Sequence, residues 1–417
     1  MQQLMQLLRV VTAGSVDNGK STLIGRLLYD SKSIFIDTLE DLQRASDLQG
    51  AGSLNLALLT DGLKTEREHG ITIDVAYRFF TTSRRRFIII DAPGHVQYTK
   101  NMVTGVSQAD VALLLVDVTA ELNAQTLQHI RIIMLMGIRH LIICINKMDL
   151  VAYSEISFEG FKQKIQNEIQ NLSSPGKALR PWFFPVSALV GDNIAEPSKN
   201  TPWYQGPCLL DFLEQIETEA SEAAGPLRFS VQGRVYSAAK EWQYTGKVLG
   251  GCLQLNDEVV ILPSQTMARI KSISTYNGPL NEALMGQAVT VGLDRELHGP
   301  DKLDGLGDIG RGDYIVARSQ PSMCAGSIEA KIIWFADENL NIGQQFYLRK
   351  NTLECRCEIV QIKNSGRVFL RPNEIAEIQI STDKIITYDS YSENKFMGSA
   401  ILIHAVTNQT VAALFFF

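Results

Sequence analysis

Apolar runs rich in β-branched residues alternate with longer segments of helical spacing between residues 9 and 217. Arg9–Ala13, Phe87–Asp91, Val111–Asp117, Leu141–Asn146 and Trp182–Val186 are the predicted strands of this region. Runs this apolar have no solvent-facing side, so both faces of their sheet must be covered by helices, the mark of a mostly parallel α/β domain. The polar stretch from Ser31 to Thr65 is too long to be a structureless loop and is expected to form helices of its own.

The pattern changes after Thr218 to Pro226, where small and polar residues close on Gly225-Pro226 and predict a helix end followed by a linker. Beyond it come short β-type runs separated by turn residues such as Asn277-Gly278-Pro279: Phe229–Val231, Thr245–Leu249, Glu258–Leu262, Ala268–Tyr276 and Ala288–Gly292. A second series follows the punctuation of Arg311-Gly312-Asp313: Ser327–Phe335, Gln345–Arg349, Arg356–Ile362, Ala376–Ile380 and Gly398–Ile403. Two small all-β barrels fit this spacing better than one. The expected division is an α/β domain over 1–217, a β-barrel over 226–320 and a second over 322–417.

Composition narrows the class of molecule. Hydrophobic residues make up 45% and charged residues 20%, as in a soluble globular protein. A net charge of -6 supplies no electrostatic reason for nonspecific nucleic-acid binding, so a nucleic-acid partner is not expected. Six scattered cysteines read as reduced thiols of a cytoplasmic protein, with Cys144 in an apolar run, and Cys355 and Cys357 lack neighbours that would complete a metal site. The N-terminus lacks the basic start and cleavage site of a signal peptide, and no apolar run approaches the roughly 20 residues of a membrane span.

The chemistry concentrates at the ends of the predicted strands. Gly14-Ser15-Val16-Asp17-Asn18-Gly19-Lys20-Ser21 follows the first strand and opens an apolar helix that continues through Thr22. That context makes the G-x-x-x-x-G-K-S spacing a phosphate-binding loop: residues without Cβ atoms let backbone N–H groups curl around phosphate oxygens at the positive end of a helix. Lys20 adds a charge for the β- and γ-phosphates, and the Ser21 hydroxyl is a ligand for Mg²⁺. Asn146-Lys147-Met148-Asp149 ends a buried strand and specifies guanine, because a carboxylate accepts from the N1–H and exocyclic amine that adenine lacks. Asn146 is expected to brace the loops, Lys147 to cover the base with its stem, and Ser187-Ala188-Leu189 to offer a backbone N–H to the guanine O6.

Asp91-Ala92-Pro93-Gly94 fits the loops in which the aspartate holds Mg²⁺ through water and the glycine N–H meets the γ-phosphate. His95 follows at once and is a candidate to orient the attacking water. In the segment from Glu66 to Asp74, Thr72 is the proposed second protein ligand of Mg²⁺, present only with the triphosphate, so the loop should order with GTP and loosen after hydrolysis. The catalytic set is thus His95, Lys20 and Thr72, and the metal set Ser21, Thr72 and Asp91.

Taken together these motifs resemble the translational-type GTPases. The stretches 14–30, 61–78, 187–193 and 202–207 closely resemble the large, GTPase subunits of bacterial sulfate adenylyltransferase, and the barrels do so more loosely. The resemblance implies a GTP-binding domain followed by two β-barrels, with GTP hydrolysis driving transfer of AMP from ATP to sulfate, giving adenosine 5′-phosphosulfate and pyrophosphate. It further implies that the adenylyl transfer belongs to a small catalytic subunit as partner, and no Ser-Gly-Gly-x-Asp-Ser pyrophosphate loop occurs here. The chain departs from that family's usual Asp at Asn18, Thr at Ala92 and Glu at Val96. With no second phosphate loop before Phe417, a fused adenosine phosphosulfate kinase is not expected. An elongation-factor-like carrier of aminoacyl-tRNA is the alternative that shared architecture leaves open.

Overall fold

The computed structural model describes residues 6–33, 56, 74–172, 179, 181–217, 225–237, 241–294, 309–363 and 368–417. Two compact units divide the chain, Met1–Thr218 and Glu219–Phe417. The first contains strands β1 (Leu7–Ala13), β2 (Ala76–Thr81), β3 (Arg86–Asp91), β4 (Val111–Asp117), β5 (His140–Asn146) and β6 (Trp182–Pro185). Among the described residues its helices are α1 (Lys20–Asp30), α2 (Thr99–Ser107), α3 (Ala124–Leu135), α4 (Glu155–Leu172) and α5 (Leu209–Gln215).

The sheet runs in the order β2-β3-β1-β4-β5-β6, parallel throughout except for β2, which pairs antiparallel with β3 at one edge. Leu113, Leu114 and Leu115 of β4 are all fully buried, as a central strand covered on both faces requires. On α1, Leu23 and Leu27 lie one turn apart, as do Ile24 and Leu28, and this stripe packs with Leu8, Val10 and Ile142 of the sheet. Fully burying each such side chain contributes about 1.5–3 kcal/mol, which fixes α1 and the loop before it on the sheet. The chain leaves β1 toward β3 and leaves β4 toward β5, so the crevice at the carboxyl ends of β1 and β4 is the topological switch point where ligands of open α/β sheets bind.

The second unit holds two antiparallel barrels of six strands. The first joins Arg228–Tyr236, Trp242–Gly250, Ala288–Asp294, Thr266–Thr275, Glu258–Leu262 and Tyr314–Ala317, the last returning to pair with the first. The second closes through Met323–Trp334, Ile375–Tyr388, Leu353–Ile362, Gln345–Lys350, Ser399–Ile403 and Thr410–Phe416. Cys355 and Cys357 both face this second barrel's core. A buried pair joins the barrels: the Arg228 guanidinium donates to both Asp389 carboxylate oxygens at 2.6 and 3.1 Å.

Candidate functional site

The loop between β1 and α1 turns on glycine. Gly14 has φ +139° and Gly19 φ +89°, and a Cβ on Gly14 would lie 2.5 Å from the Leu115 carbonyl oxygen while one on Gly19 would strike the Asn146 side chain. Gly19 caps α1 without a side-chain hydrogen bond, so the positive end of the helix is free for an anion. Lys20 is buried and its ammonium donates to the carbonyls of Gly14 at 2.8 Å and Ser15 at 2.9 Å. Burial lowers its pKa to about 8 against the opposing pull of Asp91 and Asp17. Asp17 is exposed at φ +64°, and Ser21 and Thr22 are half-buried in the first turn of α1, with Val16 half-buried in the loop.

Asp91 ends β3 and is buried, and the Thr12 hydroxyl donates to one of its oxygens at 3.0 Å. Ala92 is fully buried, and a Cβ on Gly94 would strike the Lys20 ammonium and lie 2.7 Å from the Gly14 oxygen. The Asp91-Ala92-Pro93-Gly94 turn and the phosphate loop therefore meet. His95 is half-buried; its Nδ1 accepts the Gln97 N–H at 3.3 Å, which leaves the proton of a neutral ring on Nε2. Thr72 lies outside the described residues.

Asn146 links the loops at the end of β5. Its Nδ2 donates to the Asn18 carbonyl and its Oδ1 accepts the Ala188 N–H, both at 2.9 Å. Asn18 in turn donates its own Nδ2 to the Leu115 carbonyl at 2.9 Å, a bond that an unprotonated aspartate there cannot make. Lys147, at φ +65°, forms a 2.7 Å ion pair with Asp117 at the end of β4. Burial pushes the Asp117 carboxyl up, but the Lys147 ammonium and the Thr119 hydroxyl and N–H outweigh it and hold the carboxyl below its ordinary value. Met148 is fully buried, whereas the half-buried Asp149 carboxylate has no hydrogen-bond partner among the described residues. Ser187 is buried and Leu189 is exposed.

Several residues that complete this architecture carry no motif. The Gly14 N–H donates to Nδ1 of His129 at 3.2 Å, and Ser15 Oγ meets Asn123 Oδ1 at 2.9 Å and Thr126 Oγ1 at 3.1 Å. Asn123 caps α3 by accepting the Thr126 N–H at 2.8 Å, so the first two turns of α3 support the phosphate loop. Arg26 of α1 donates to the Ala188 carbonyl at 3.4 Å and the Leu189 carbonyl at 2.5 Å, tying the phosphate-loop helix to the segment after β6. A cap residue followed by Thr126 and His129 on the apolar side of an amphipathic helix is the only sequence trace these contacts leave.

The family profile "Elongation factor Tu GTP binding domain" matches residues 5–224, and "GTP-eEF1A C-terminal domain-like" matches residues 327–414. "Sulfate adenylyltransferase subunit 1" of Bacteroides fragilis (strain YCH46) is 41% identical over 97% of this chain and 85% of its own. The protein of the same name from Cronobacter sakazakii (strain ATCC BAA-894) is 42% identical over 99% of this chain and 86% of its own. The chain belongs to the family of sulfate adenylyltransferase subunit 1, the GTPase subunit of ATP sulfurylase. Subunit 1 denotes one component of a multi-subunit enzyme. Within this family the phosphate loop, the Asn146–Asp149 segment and the Asp91–Gly94 turn all lie in the GTP-binding part of the chain. The solved S. cerevisiae Ski7 GTPase-like domain, bound to GTP, has the same fold at a TM-score of 0.53 and 18% identity, covering 99% of this chain and 97% of that one. No helix among the described residues is long and apolar enough to cross a membrane.

Proposed function

We propose that this chain binds GTP at the carboxyl ends of β1, β3, β4 and β5, and that its hydrolysis drives adenosine 5′-phosphosulfate and pyrophosphate formation from ATP and sulfate on a small catalytic subunit. The amides from Gly14 to Thr22 wrap the phosphates, Lys20 charges the β- and γ-oxygens, and the Gly94 N–H meets the γ-phosphate. Buried Asp91, fixed by Thr12, and the Ser21 hydroxyl present the hard oxygen donors that Mg²⁺ takes, and Thr72 is the further ligand this reading assigns. Mg²⁺ held there would supply positive charge to offset that of the triphosphate.

Asp149 reads the guanine N1–H and amine, the Lys147 stem covers the base while its ammonium is anchored on Asp117, and the 187–189 segment supplies the N–H for O6. His95, with its proton on Nε2, orients the attacking water by donating to it. The division at 1–217, 226–320 and 322–417 is part of this reading, with the barrels serving the partner.

The observation that carries the reading is Asn146, whose one amide group holds both the phosphate loop and the segment after β6. Calorimetry on Asp149→Asn is its test. The amide turns one carboxylate acceptor into a donor facing a guanine donor and removes the charge from the other, so GTP affinity should fall about 100-fold or more while xanthosine triphosphate gains. Unchanged base preference would remove Asp149 from the site.

A further inference from the structure

The Asp149 side chain has no hydrogen bond to fix it among the described residues, so its place is set by the backbone that carries it. That backbone is a single turn, Met148–Val151, leaving through Ala152 at φ +50° and Tyr153 at φ +55°. Two successive left-handed residues without glycine persist only where surrounding contacts hold them. Tyr153 supplies those contacts. Its N–H donates to the Met148 carbonyl at 2.9 Å, its carbonyl accepts Trp203 Nε1–H at 2.9 Å, and its hydroxyl donates to Asp192 Oδ2 at 2.5 Å. Asp192 is held from the other side by the Ser198 hydroxyl at 2.5 Å on Oδ1, and its backbone carbonyl accepts the Ser187 N–H at 3.4 Å. One aspartate therefore connects the turn bearing Asp149 to the segment 187–189.

We infer that the Tyr153–Asp192 hydrogen bond is a specificity-determining brace, which fixes the Asp149 carboxylate relative to the 187–189 segment so that both edges of a guanine are met at once. This rests on the guanine reading given above. Tyr153 and Asp192 are positioning residues: neither touches the base, and neither belongs to the phosphate loop. Hydrogen-bond strength falls steeply with misalignment, so a turn released by even an ångström loses base discrimination before it loses the phosphate contacts. Burial first, then the bond to Asp192, pushes the Tyr153 pKa up to about 12, so the phenol remains a donor throughout the physiological range.

The test measures affinities of the full chain for GTP and for inosine triphosphate, which keeps the guanine O6 and N1–H but lacks the exocyclic amine. Tyr153→Phe and Asp192→Ala should each compress the GTP-to-inosine-triphosphate affinity ratio about tenfold, the worth of one hydrogen bond, with inosine triphosphate, which lacks the amine bond to Asp149, weakened less than GTP. Combining them should add little, because they cut the same bond. Asp192→Asn, whose amide oxygen still accepts the phenol proton, should keep most of the ratio. A Tyr153→Phe protein with an unaltered ratio would overturn the inference, and so would one weakened equally toward both nucleotides, since that is general loosening of the fold. Failure of the guanine reading itself would look different: wild-type protein without preference for GTP, or Asp149→Ala leaving the preference intact.

Discussion

His129 is 4% exposed and accepts the Gly14 N–H, so the imidazole must be neutral with its proton on Nε2. Burial and then the nearby Lys20 charge lower its pKa from 6.5 to about 3. Unfolded chains take up a proton there between those values while the folded protein does not. The neutral ring's contribution to stability is therefore complete above pH 6.5 and is lost as pH falls toward 3, by up to about 1.4 kcal/mol per pH unit. The His129→Asn variant would place an amide oxygen near the present Nδ1, so it should bind GTP nearly as well as wild type and unfold with a flatter acid dependence. His129→Leu leaves the Gly14 N–H unpaired and should cost about tenfold in GTP affinity. Nucleotide titrations with acid unfolding curves check both, and a fully competent His129→Leu would contradict the role. Motif residues were legible because phosphate and guanine demand particular residue types at fixed spacing. His129 was not, because 115 residues separate it from Gly14 and only the folded sheet brings α3 under the loop.

At the scale of elements, the strand Arg228–Tyr236 opens with a residue whose guanidinium is buried against Asp389, just past the strand Ile375–Tyr388. Removing one member of such a pair strands a charge away from water, at a cost of about 3–5 kcal/mol. Asp389→Ala should accordingly lower the denaturant midpoint of the barrel unit markedly, whereas Arg228→Met with Asp389→Leu should recover much of the loss. Equal midpoints for Asp389→Ala and wild type would show the pair to be incidental.

The long apolar runs of the first unit named its parallel strands almost to the residue, since a strand buried on both faces has no competing pattern. Three strands of the main sheet and the barrel walls escaped. Ala76–Thr81 is an edge strand whose sheltered face carries Arg78 between Ala76 and Phe80 while Phe79 is exposed on the other, so no apolar run or alternation marks it. Tyr314–Ala317 is only four residues long and follows turn residues read as punctuation, and Thr410–Phe416 ends in a phenylalanine run without alternation. Both are barrel-closing strands, defined by partners far away in sequence.

For the whole molecule, strand grammar alone separated an α/β unit from two barrels, because period and turn density change at Gly225-Pro226. The braces between nucleotide loops were not legible at this scale, since hydrogen bonds such as Tyr153 to Asp192 arise from loop geometry that no periodicity encodes. What the site does for the complex is a property of the assembly. The decisive measurement is sulfate-dependent pyrophosphate release from ATP by this chain assembled with a small catalytic subunit, made with wild type and Asp149→Asn, with GTP or xanthosine triphosphate. Stimulation by GTP in the wild type, transferring to xanthosine triphosphate in the variant, is the predicted result. Release that is indifferent to either nucleotide would contradict the account.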